Sequence, residues 1–201
     1  LAVTAPAQAD LANVRSASVG RTHTCAILDD TGGLKCWGDD SSGQLGDGLS
    51  TFSATPVDVV GLTSGVLAVA AGGSHTCAVI AATGAVKCWG ANSNGQLGIG
   101  NISPTSTPSS VLGLSSGYIA VAAGELHTCA LSAAGAVKCW GAGANGQLGN
   151  GGTSSSNVPV DVQGLGSGVA ALAVNGGHSC AIMTSGAGLK CWGYNNAGQL
   201  G

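Results

Sequence analysis

Charged and aromatic residues are scarce in this sequence of 201 residues. Charged side chains make up 7% and aromatic side chains 3% of the chain, whereas roughly 25% of an ordinary soluble domain is charged. With six Lys and Arg residues and a net charge of −3, the chain lacks the basic surface that nucleic-acid binding requires. These shortages exclude nucleic acid as an expected partner.

Long apolar runs and catalytic signatures are also missing. No apolar run approaches the ~20 residues that cross a bilayer, so no membrane insertion is expected. The chain starts at Leu1 without the basic segment of a signal peptide, so a secreted form would be a mature chain or a fragment. No carboxylate pair recurs, and no glycine-rich phosphate loop is followed by Lys and then Ser or Thr. We therefore expect no enzymatic activity, no cofactor and no metal.

Small and apolar residues dominate the sequence instead. It contains 36 glycines, and 44% of its residues are hydrophobic. Because such a chain has apolar surface to bury, it is expected to fold rather than to remain disordered. Frequent glycine disfavours helices, and no segment shows a sustained helical apolar period. The composition therefore predicts a compact, all-β protein.

One segment occurs four times along the chain. The copy that begins at Gly73 reads GSHTCAVIAATGAVKCWGANSNGQLG, and every copy contains a His, two Cys, a Trp-Gly pair and Gly-Gln-Leu-Gly in this order. A period of about 50 residues is typical of propellers and of linear repeat arrays. The repeated histidines and tryptophans are His23, His75, His127, His178, Trp37, Trp89, Trp140 and Trp192.

Each repeat has the pattern of four short strands. Residues 66–71, 75–81 and 85–89 are short strand-like runs separated by Gly-containing turns, which predicts a three-stranded meander. Residues 55–60 supply a fourth strand, whose Pro56 suits an edge. The sequence thus predicts a single domain, a β-propeller or propeller-like array of about four four-stranded antiparallel blades. The domain spans residues 1–201, with repeats at about 12–60, 61–112, 113–163 and 164–201.

The repeated His, Trp-Gly and Gly-Gln-Leu-Gly positions resemble the repeat of the regulator of chromosome condensation (RCC1-like) family, in an extracellular variant that contains cysteine. The resemblance extends over residues 14–201 and implies a propeller, usually of seven blades, so that four blades would be part of a larger ring. The family includes nucleotide-exchange factors and chromatin binders, but the loops and charged surfaces on which they depend are missing here. Its secreted bacterial members include protein inhibitors, which implies protein binding as an alternative function.

The eight cysteines occur as two per repeat. In the predicted meander, Cys77 and Cys88 lie at equal distances from the turn, so their strands place them opposite each other, close to disulfide reach. We expect four disulfides within blades and hence an oxidising, extracellular or cell-surface location. Two alternatives stay open: a metal site of His75, Cys77 and Cys88, which lacks a fourth ligand, and a core of free thiols. The expected pairs are Cys25 with Cys36, Cys77 with Cys88, Cys129 with Cys139, and Cys180 with Cys191.

The repeated histidines and tryptophans are interpreted as structural. A residue repeated in every blade serves what the blades share, whereas a catalytic site normally breaks the symmetry. We therefore expect each His to hydrogen-bond the backbone of its own or the neighbouring blade, and each Trp to pack between blades. Stacking of carbohydrate on the tryptophans is a secondary interpretation. Gly-Gln-Leu-Gly is expected to supply a tight turn and one buried Leu.

One lysine precedes the second cysteine of every repeat. Solvated edge residues are the expected role, in preference to a cationic binding ring. These lysines are Lys35, Lys87, Lys138 and Lys190.

Three polar loops differ between the repeats, at residues 46–55, 98–109 and 149–157. Asn101, followed by Ile102 and Ser103, is a formal acceptor for N-glycosylation. The Pro-, Ser- and Thr-rich stretch that starts with Thr105, Ser106 and Thr107 resembles an O-glycosylated segment. The sequence therefore indicates a glycoprotein with glycans on its loops.

The first residues occupy the place that a fourth strand has in the other repeats. Residues 1–11 are therefore a candidate strand that completes the last blade, either by closing the ring or by donation to the next chain. The leading functional hypothesis is an extracellular, disulfide-stapled structural protein that self-associates into a surface filament by this strand exchange. The alternative is a secreted protein-binding module, inhibitor-like or adhesin-like, with a protein or glycan partner.

Overall fold

The computed structural model describes residues 11–184 and 188–201, which form fifteen β-strands and no helix. None of these residues belongs to a helix of the length and apolarity that crossing a membrane would demand. The candidate closing or donated strand at residues 1–11 lies outside the described residues except for residue 11. The prediction of an all-β protein is confirmed.

The strands form four antiparallel sheets in chain order, which we call blades 1 to 4. Blades 1 to 3 have four strands each, and blade 4 has three. The strands are β1 Val14–Val19, β2 His23–Leu28, β3 Leu34–Gly38, β4 Ser53–Asp58, β5 Val66–Ala71, β6 His75–Ile80, β7 Val86–Gly90, β8 Thr105–Ser110, β9 Tyr118–Ala123, β10 His127–Ser132, β11 Val137–Gly141, β12 Ser156–Asp161, β13 Val169–Asn175, β14 His178–Met183 and β15 Leu189–Gly193.

Local sequence explains the meander within each blade. In blade 2 the hairpin turn carries Gly84 at a φ of 72°, a left-handed conformation that glycine adopts without strain. This turn sets the register in which Cys77 faces Cys88 and Thr76 faces Trp89. The predicted meander is therefore present with the predicted register.

The fourth strand of blades 1 to 3 begins earlier than the sequence pattern indicates. β8 and β12 start at Thr105 and Ser156, inside the segments expected to be loops. Their proline residues are tolerated because these strands form the outer edge of each sheet, where a missing N–H breaks no ladder. The polar segments between the third and fourth strands are correspondingly shorter than predicted.

Blades pack side by side, each on the next one in sequence. We call the side of a blade that faces the following blade its forward face, and the opposite side its rear face. Between blades 1 and 2, the forward face supplies Ile27, Leu34 and Leu45, and the rear face of blade 2 supplies Val66 and Trp89. Equivalent apolar clusters join blades 2 and 3, and blades 3 and 4. The core is thus a series of interfaces between blades.

Candidate functional site

Four disulfides cross the second and third strands of the blades. The paired Cα atoms lie 4.1 Å apart in every case, and no cysteine among the described residues is free. A disulfide offers no thiolate to a metal, so the metal set of His75, Cys77 and Cys88 and the free-thiol core are both wrong. The bonds join Cys25 to Cys36, Cys77 to Cys88, Cys129 to Cys139, and Cys180 to Cys191.

The first three disulfides lie inside the interfaces between blades. Cys77 and Cys88 are completely buried and belong to the apolar cluster that includes Ala130 and Trp140 of the following blade. Each bond therefore closes a hairpin and also fills space against the next blade. Cys180 and Cys191 are only half-buried, because they lie on the forward face of blade 4.

A histidine links each blade to the next. His23 Nε2 lies 2.8 Å from Thr76 Oγ1, and His75 Nε2 lies 2.9 Å from Thr128 Oγ1. His127 Nε2 makes the same contact, at 2.9 Å, with Ser179 Oγ. The expected neighbouring blade is thus the partner, but the bonded group is a hydroxyl. Backbone was the wrong expectation, because the residue after the histidine of the following blade places its hydroxyl within hydrogen-bond distance of Nε2.

The hydroxyl determines which histidine nitrogen carries the proton. Thr76 Oγ1 donates its hydrogen to the carbonyl of Gln44 at 2.8 Å, so it accepts from His23 Nε2–H. Thr128 donates in the same way to the carbonyl of Gln96, at 2.9 Å. The Nδ1 atoms of the three internal histidines are buried without a hydrogen-bond partner. The rings of His23 and His75 are therefore neutral, with the proton on Nε2.

Burial opposes the charging of these rings. It lowers the pKa of His75 to about 3. Burial likewise lowers the pKa of His23 to about 4, although the Asp39 carboxylate acts in the opposite direction. The pKa of His127 is lowered to about 4, again by burial. Such rings are poor general bases at neutral pH. A second proton would have to bind at Nδ1, where the buried N–H would find no hydrogen-bond acceptor.

The same glutamine carbonyls also hold the tryptophans. Trp89 Nε1 donates to the carbonyl of Gln44 at 3.0 Å, and Trp140 Nε1 donates to the carbonyl of Gln96 at 2.8 Å. Trp192 Nε1 repeats the contact with the carbonyl of Gln147, at 2.9 Å. Each of these three indoles thus packs between blades and is anchored to the preceding blade.

The Gly-Gln-Leu-Gly segment is shaped to receive the indole. Gly46, the last residue of the first copy, has a φ of 75°, and a Cβ atom there would lie 2.5 Å from Trp89 Nε1. The Gln44 side chain closes the turn, because its Oε1 accepts the N–H of Ser42 at 2.9 Å. Leu45 is fully buried in the interface. The segment is thus a receptor for the next blade as well as a turn.

The repeated lysines lie at the outer part of each sheet. Lys35 and Lys138 form ion pairs with Asp58 and Asp161 of the neighbouring strand, at 2.8 and 2.6 Å. Both carboxylates are largely exposed, so the pairs contribute little to stability. These two ion pairs favour the interpretation of the repeated lysines as solvated edge residues, since each of the two cations is neutralised within its own blade.

The inner strands β1, β5, β9 and β13 line a central groove of about 820 Å³. Its walls are backbone and small apolar side chains such as Val69, Ala122 and Ala173. Arg21 and Glu125 are the titratable side chains of this lining, and they pair at 3.0 Å across the rim from blade 1 to blade 3. The groove therefore offers shape and backbone groups for binding but no nucleophile next to a base.

The glycan candidates lie on the periphery. Asn101 is exposed in the loop before β8, where its Oδ1 accepts the N–H of Ser103 at 2.9 Å. Thr105, Ser106 and Thr107 belong to the edge strand β8 rather than to a loop. Thr107 is exposed, whereas Ser106 is half-buried and its carbonyl accepts the N–H of Gly48 in blade 1 at 3.0 Å.

Two groups in the interface between blades were not predicted from the sequence. The hydroxyl residue between the His and the first Cys and the carbonyl of the Gly-Gln-Leu-Gly glutamine form the centre of each internal junction. The hydroxyl had a signal, because Thr24, Thr76, Thr128 and Ser179 recur in phase with the histidines. The carbonyl had none, since any residue has one.

Comparison with known proteins shows a repeat that matches throughout the described blades. The Regulator of chromosome condensation (RCC1) repeat matches residues 32–79, 83–131 and 134–182. A second description of the same repeat matches residues 14–44, 66–96, 118–147 and 169–199. The matched positions include every repeated histidine, tryptophan and cysteine.

A related protein is the ultraviolet-B receptor UVR8 of Arabidopsis thaliana, with 34% identity over 188 residues. The alignment covers 92% of this chain and 42% of UVR8. The chain therefore spans less than half the length of that relative.

Two solved structures resemble the arrangement of the blades. Human WBSCR16 has a TM-score of 0.79 at 27% identity, with 90% of this chain and 47% of that chain covered. Yeast RCC1 (Prp20), solved with Kap60 bound, also has a TM-score of 0.79 at 27% identity, over 94% of this chain and 45% of that chain. The predicted β-propeller fold is confirmed.

Proposed function

The chain belongs to the regulator of chromosome condensation (RCC1) repeat family, and we propose that it is a non-catalytic, disulfide-stapled structural scaffold that functions outside the cell or at its surface. One observation carries this proposal. All eight cysteines are bonded within blades, and the three internal histidines, His23, His75 and His127, are hydrogen-bonded between blades. The central groove that remains has a single exposed ion pair and no activated nucleophile.

Four disulfides support the extracellular assignment, because such bonds persist in oxidising compartments and are rare in the cytosol. The test is the intact mass of native material, measured without reduction. We expect a polypeptide mass eight hydrogens below that of the reduced chain. Rapid labelling of native cysteines by a thiol reagent would contradict both the disulfides and the location.

Self-association through residues 1–11 and glycans on Asn101 and Thr107 are the finer parts of this proposal. Both glycan candidates are exposed. Among the described residues, β15 of blade 4 pairs with β14 alone, which leaves an edge where a further strand would pair. Deletion of residues 1–11 is expected to weaken assembly into filaments, and deglycosylation is expected to reduce the mass. Unchanged assembly after the deletion would overturn strand exchange, and an unchanged mass would remove the glycans.

A second candidate function is protein binding at the central groove. It is favoured by the groove itself, whose walls present small side chains and backbone groups to a ligand, and by yeast RCC1, which was solved with Kap60 bound. Binding energy usually comes from Tyr, Trp and Arg anchors, and the groove offers Arg21 alone among these. A partner that binds the Arg21→Ala, Glu125→Ala double variant as tightly as it binds the wild type would not be using this groove.

A further inference from the structure

A small polar cleft lies between blades 2 and 3. Its volume is about 360 Å³, which is within the ~300–1,000 Å³ range of ligand-binding clefts. One wall is the turn and loop that follow β7, and the other is the beginning of β12 with the residue before it. Both walls belong to blades that pack on each other through a shared apolar cluster. The lining residues are Ser93, Asn94, Ile102, Ser155, Ser156 and Asn157.

The cleft is neutral and retains free hydrogen-bonding groups. All of its lining residues are uncharged, and every one except Ile102 carries a hydroxyl or an amide. The Asn157 side chain makes no hydrogen bond to any residue that the structure describes. Asn94 Nδ2 donates to the neighbouring Ser93 Oγ at 3.3 Å, and this is the hydrogen bond of that amide. Since an amide has two N–H donors and a carbonyl acceptor, both asparagines keep groups for a ligand.

The backbone around the cleft is held in place without a ligand. The N–H of Gly100 donates to the Asn157 carbonyl at 2.9 Å, which ties the loop of blade 2 to β12. The N–H of Asn94 donates to Gln96 Oε1, also at 2.9 Å. Gly95 packs so tightly that an added Cβ atom would lie 2.6 Å from the Cα atom of Asn157. Because the walls are already ordered, little conformational entropy is lost when a ligand binds.

The lining of this cleft departs from the repeat. The same turn and the same backbone contact join blades 1 and 2, where the Gly48 N–H donates to the Ser106 carbonyl at 3.0 Å. A residue that recurs in every blade serves the fold, so residues that differ at one junction are candidates for binding. Asn94, Asn157 and Ile102 replace the residues that stand at the corresponding places of the first junction, which are Ser42, Ser106 and Ser50.

The chemistry of the lining specifies the ligand. Its amides and hydroxyls match groups that both donate and accept hydrogen bonds. A charged ligand would lose its hydration and find no opposite charge among the lining residues. Ile102 is 62% exposed and offers an apolar contact beside these polar groups. A saccharide ring meets all three conditions, because its hydroxyls surround a ring whose two faces carry C–H groups.

We propose that the cleft between blades 2 and 3 binds a neutral saccharide. The amides of Asn94 and Asn157 bond the ring hydroxyls, and Ile102 packs against a C–H face of the ring. The saccharide comes either from solution or from a glycan on Asn101, the residue next to Ile102. This binding function is additional to the scaffold role, whose own test is the intact mass, so either proposal fails without the other.

The test is an NMR titration of the full chain, produced without glycosylation, with four neutral sugars. These are the methyl glycosides of glucose, mannose, galactose and N-acetylglucosamine, each added up to its solubility limit. At least one sugar is expected to shift the side-chain amide signals of Asn94 and Asn157 until they saturate. The signal of Asn145, which has the same turn position in blade 3, is expected to stay in place.

Three substitutions measure the contribution of the amides. Asn94→Ser and Asn157→Ser introduce the residue that another blade carries at the same position, so the fold is retained. Each is expected to raise the Kd of the sugar at least about fivefold, the equivalent of one hydrogen bond. Asn145→Ser is the matched control, and its Kd is expected to equal that of wild type.

Several outcomes would overturn the proposal. Absence of a saturable shift with all four sugars does so, as does a Kd for Asn157→Ser equal to that of wild type. A shift of Asn145 as large as that of Asn94 would show non-specific contact with sugar. Sodium sulfate that produces the same saturable shifts would identify an anion site instead.

Ser103→Ala separates the two sources of the saccharide in material from a glycosylating host, because it removes the acceptor sequence of Asn101. Added sugar that binds this variant but not the glycosylated wild type identifies the glycan on Asn101 as the occupant of the cleft. Equal binding to both identifies a saccharide from solution.

Discussion

Gly98 illustrates how one residue accommodates a neighbouring blade. It has a φ of 69°, and a Cβ atom added to it would lie 2.8 Å from Trp140 Nε1. That indole nitrogen donates to the Gln96 carbonyl, so any displacement of the ring also costs a buried hydrogen bond. Glycine is thus required here for two separate reasons, its conformation and the space that it leaves.

Gly98→Ala is therefore expected to destabilise the protein by about 1–3 kcal/mol more than Gly113→Ala. Gly113 has a similar φ of 73° but no atom within 4 Å of the added Cβ, so its substitution reports the conformational strain alone. Urea unfolding of both variants measures the difference. Equal losses would show that the indole yields to the methyl group without cost.

The internal histidines give stability a defined pH dependence. Their ordinary pKa is 6.5, and burial lowers it to about 4 for His23 and His127 and to about 3 for His75. Between pH 6.5 and about 4, the unfolded chain binds protons at these sites and the folded chain does not. Stability is therefore highest above this window and decreases as the pH falls through it, by up to about 1.4 kcal/mol per pH unit for each ring.

His75→Gln is expected to reduce the slope of stability against pH by the contribution of about one proton, because one of the three buried rings is removed. His178→Gln is the control, since His178 is half-buried on the open face of blade 4. Chemical denaturation at a series of pH values gives the slopes. The explanation fails if His75→Gln leaves the slope as it is in wild type.

The basic structural element of each blade is the hairpin of the second and third strands, which a disulfide cross-links. Its turn places the two cysteines opposite each other, and a loop of this length is stabilised by roughly 2–3 kcal/mol in the chain-entropy description. In blades 1 to 3 the sulfur atoms also fill the contact with the next blade, since these cysteines are completely buried. The disulfide thus acts both within a blade and between blades.

Replacing Cys77 and Cys88 by Ala is expected to cost more than replacing Cys180 and Cys191. Both changes open loops of the same separation, 11 residues, so the entropic losses match. The first pair is fully buried and leaves a cavity, while the second is half-buried and leaves little. Thermal unfolding of the two double variants measures this, and equal losses would mean that the sulfurs contribute nothing to the interface.

The whole molecule is a series of similar junctions, each between nearest neighbours in sequence. Stability in such an array is the sum of the units and of the contacts between adjacent units. In the part of the chain that the structure describes, blades 2 and 3 have both faces covered, whereas blade 4 has three strands and exposes Ile182 and Leu189. The molecule is therefore expected to loosen first at blade 4.

Hydrogen exchange on a dilute sample, where a single copy predominates, is expected to show faster exchange in β14 than in β6. The two strands share the same sequence pattern, so the difference reports position in the array. Equal protection of β14 and β6 in the dilute sample would contradict the nearest-neighbour description.

The sequence by itself determined the architecture of a blade and its covalent bonds. Strand alternation and turn glycines are local features, and they are sufficient to place Cys77 opposite Cys88 and Pro56 at an edge. The outer strand starts earlier than the sequence predicts, because an edge strand is rich in polar residues and resembles a loop. Repetition then extended the same result to every blade.

The tertiary structure alone decided what each repeated residue contacts. His23 meets a hydroxyl 53 residues away, and the Gln44 carbonyl receives Trp89 from a distance of 45 residues. The physical reason is that these contacts depend on how one blade is placed against the next, and this placement arises from the packing of whole faces rather than from any local period.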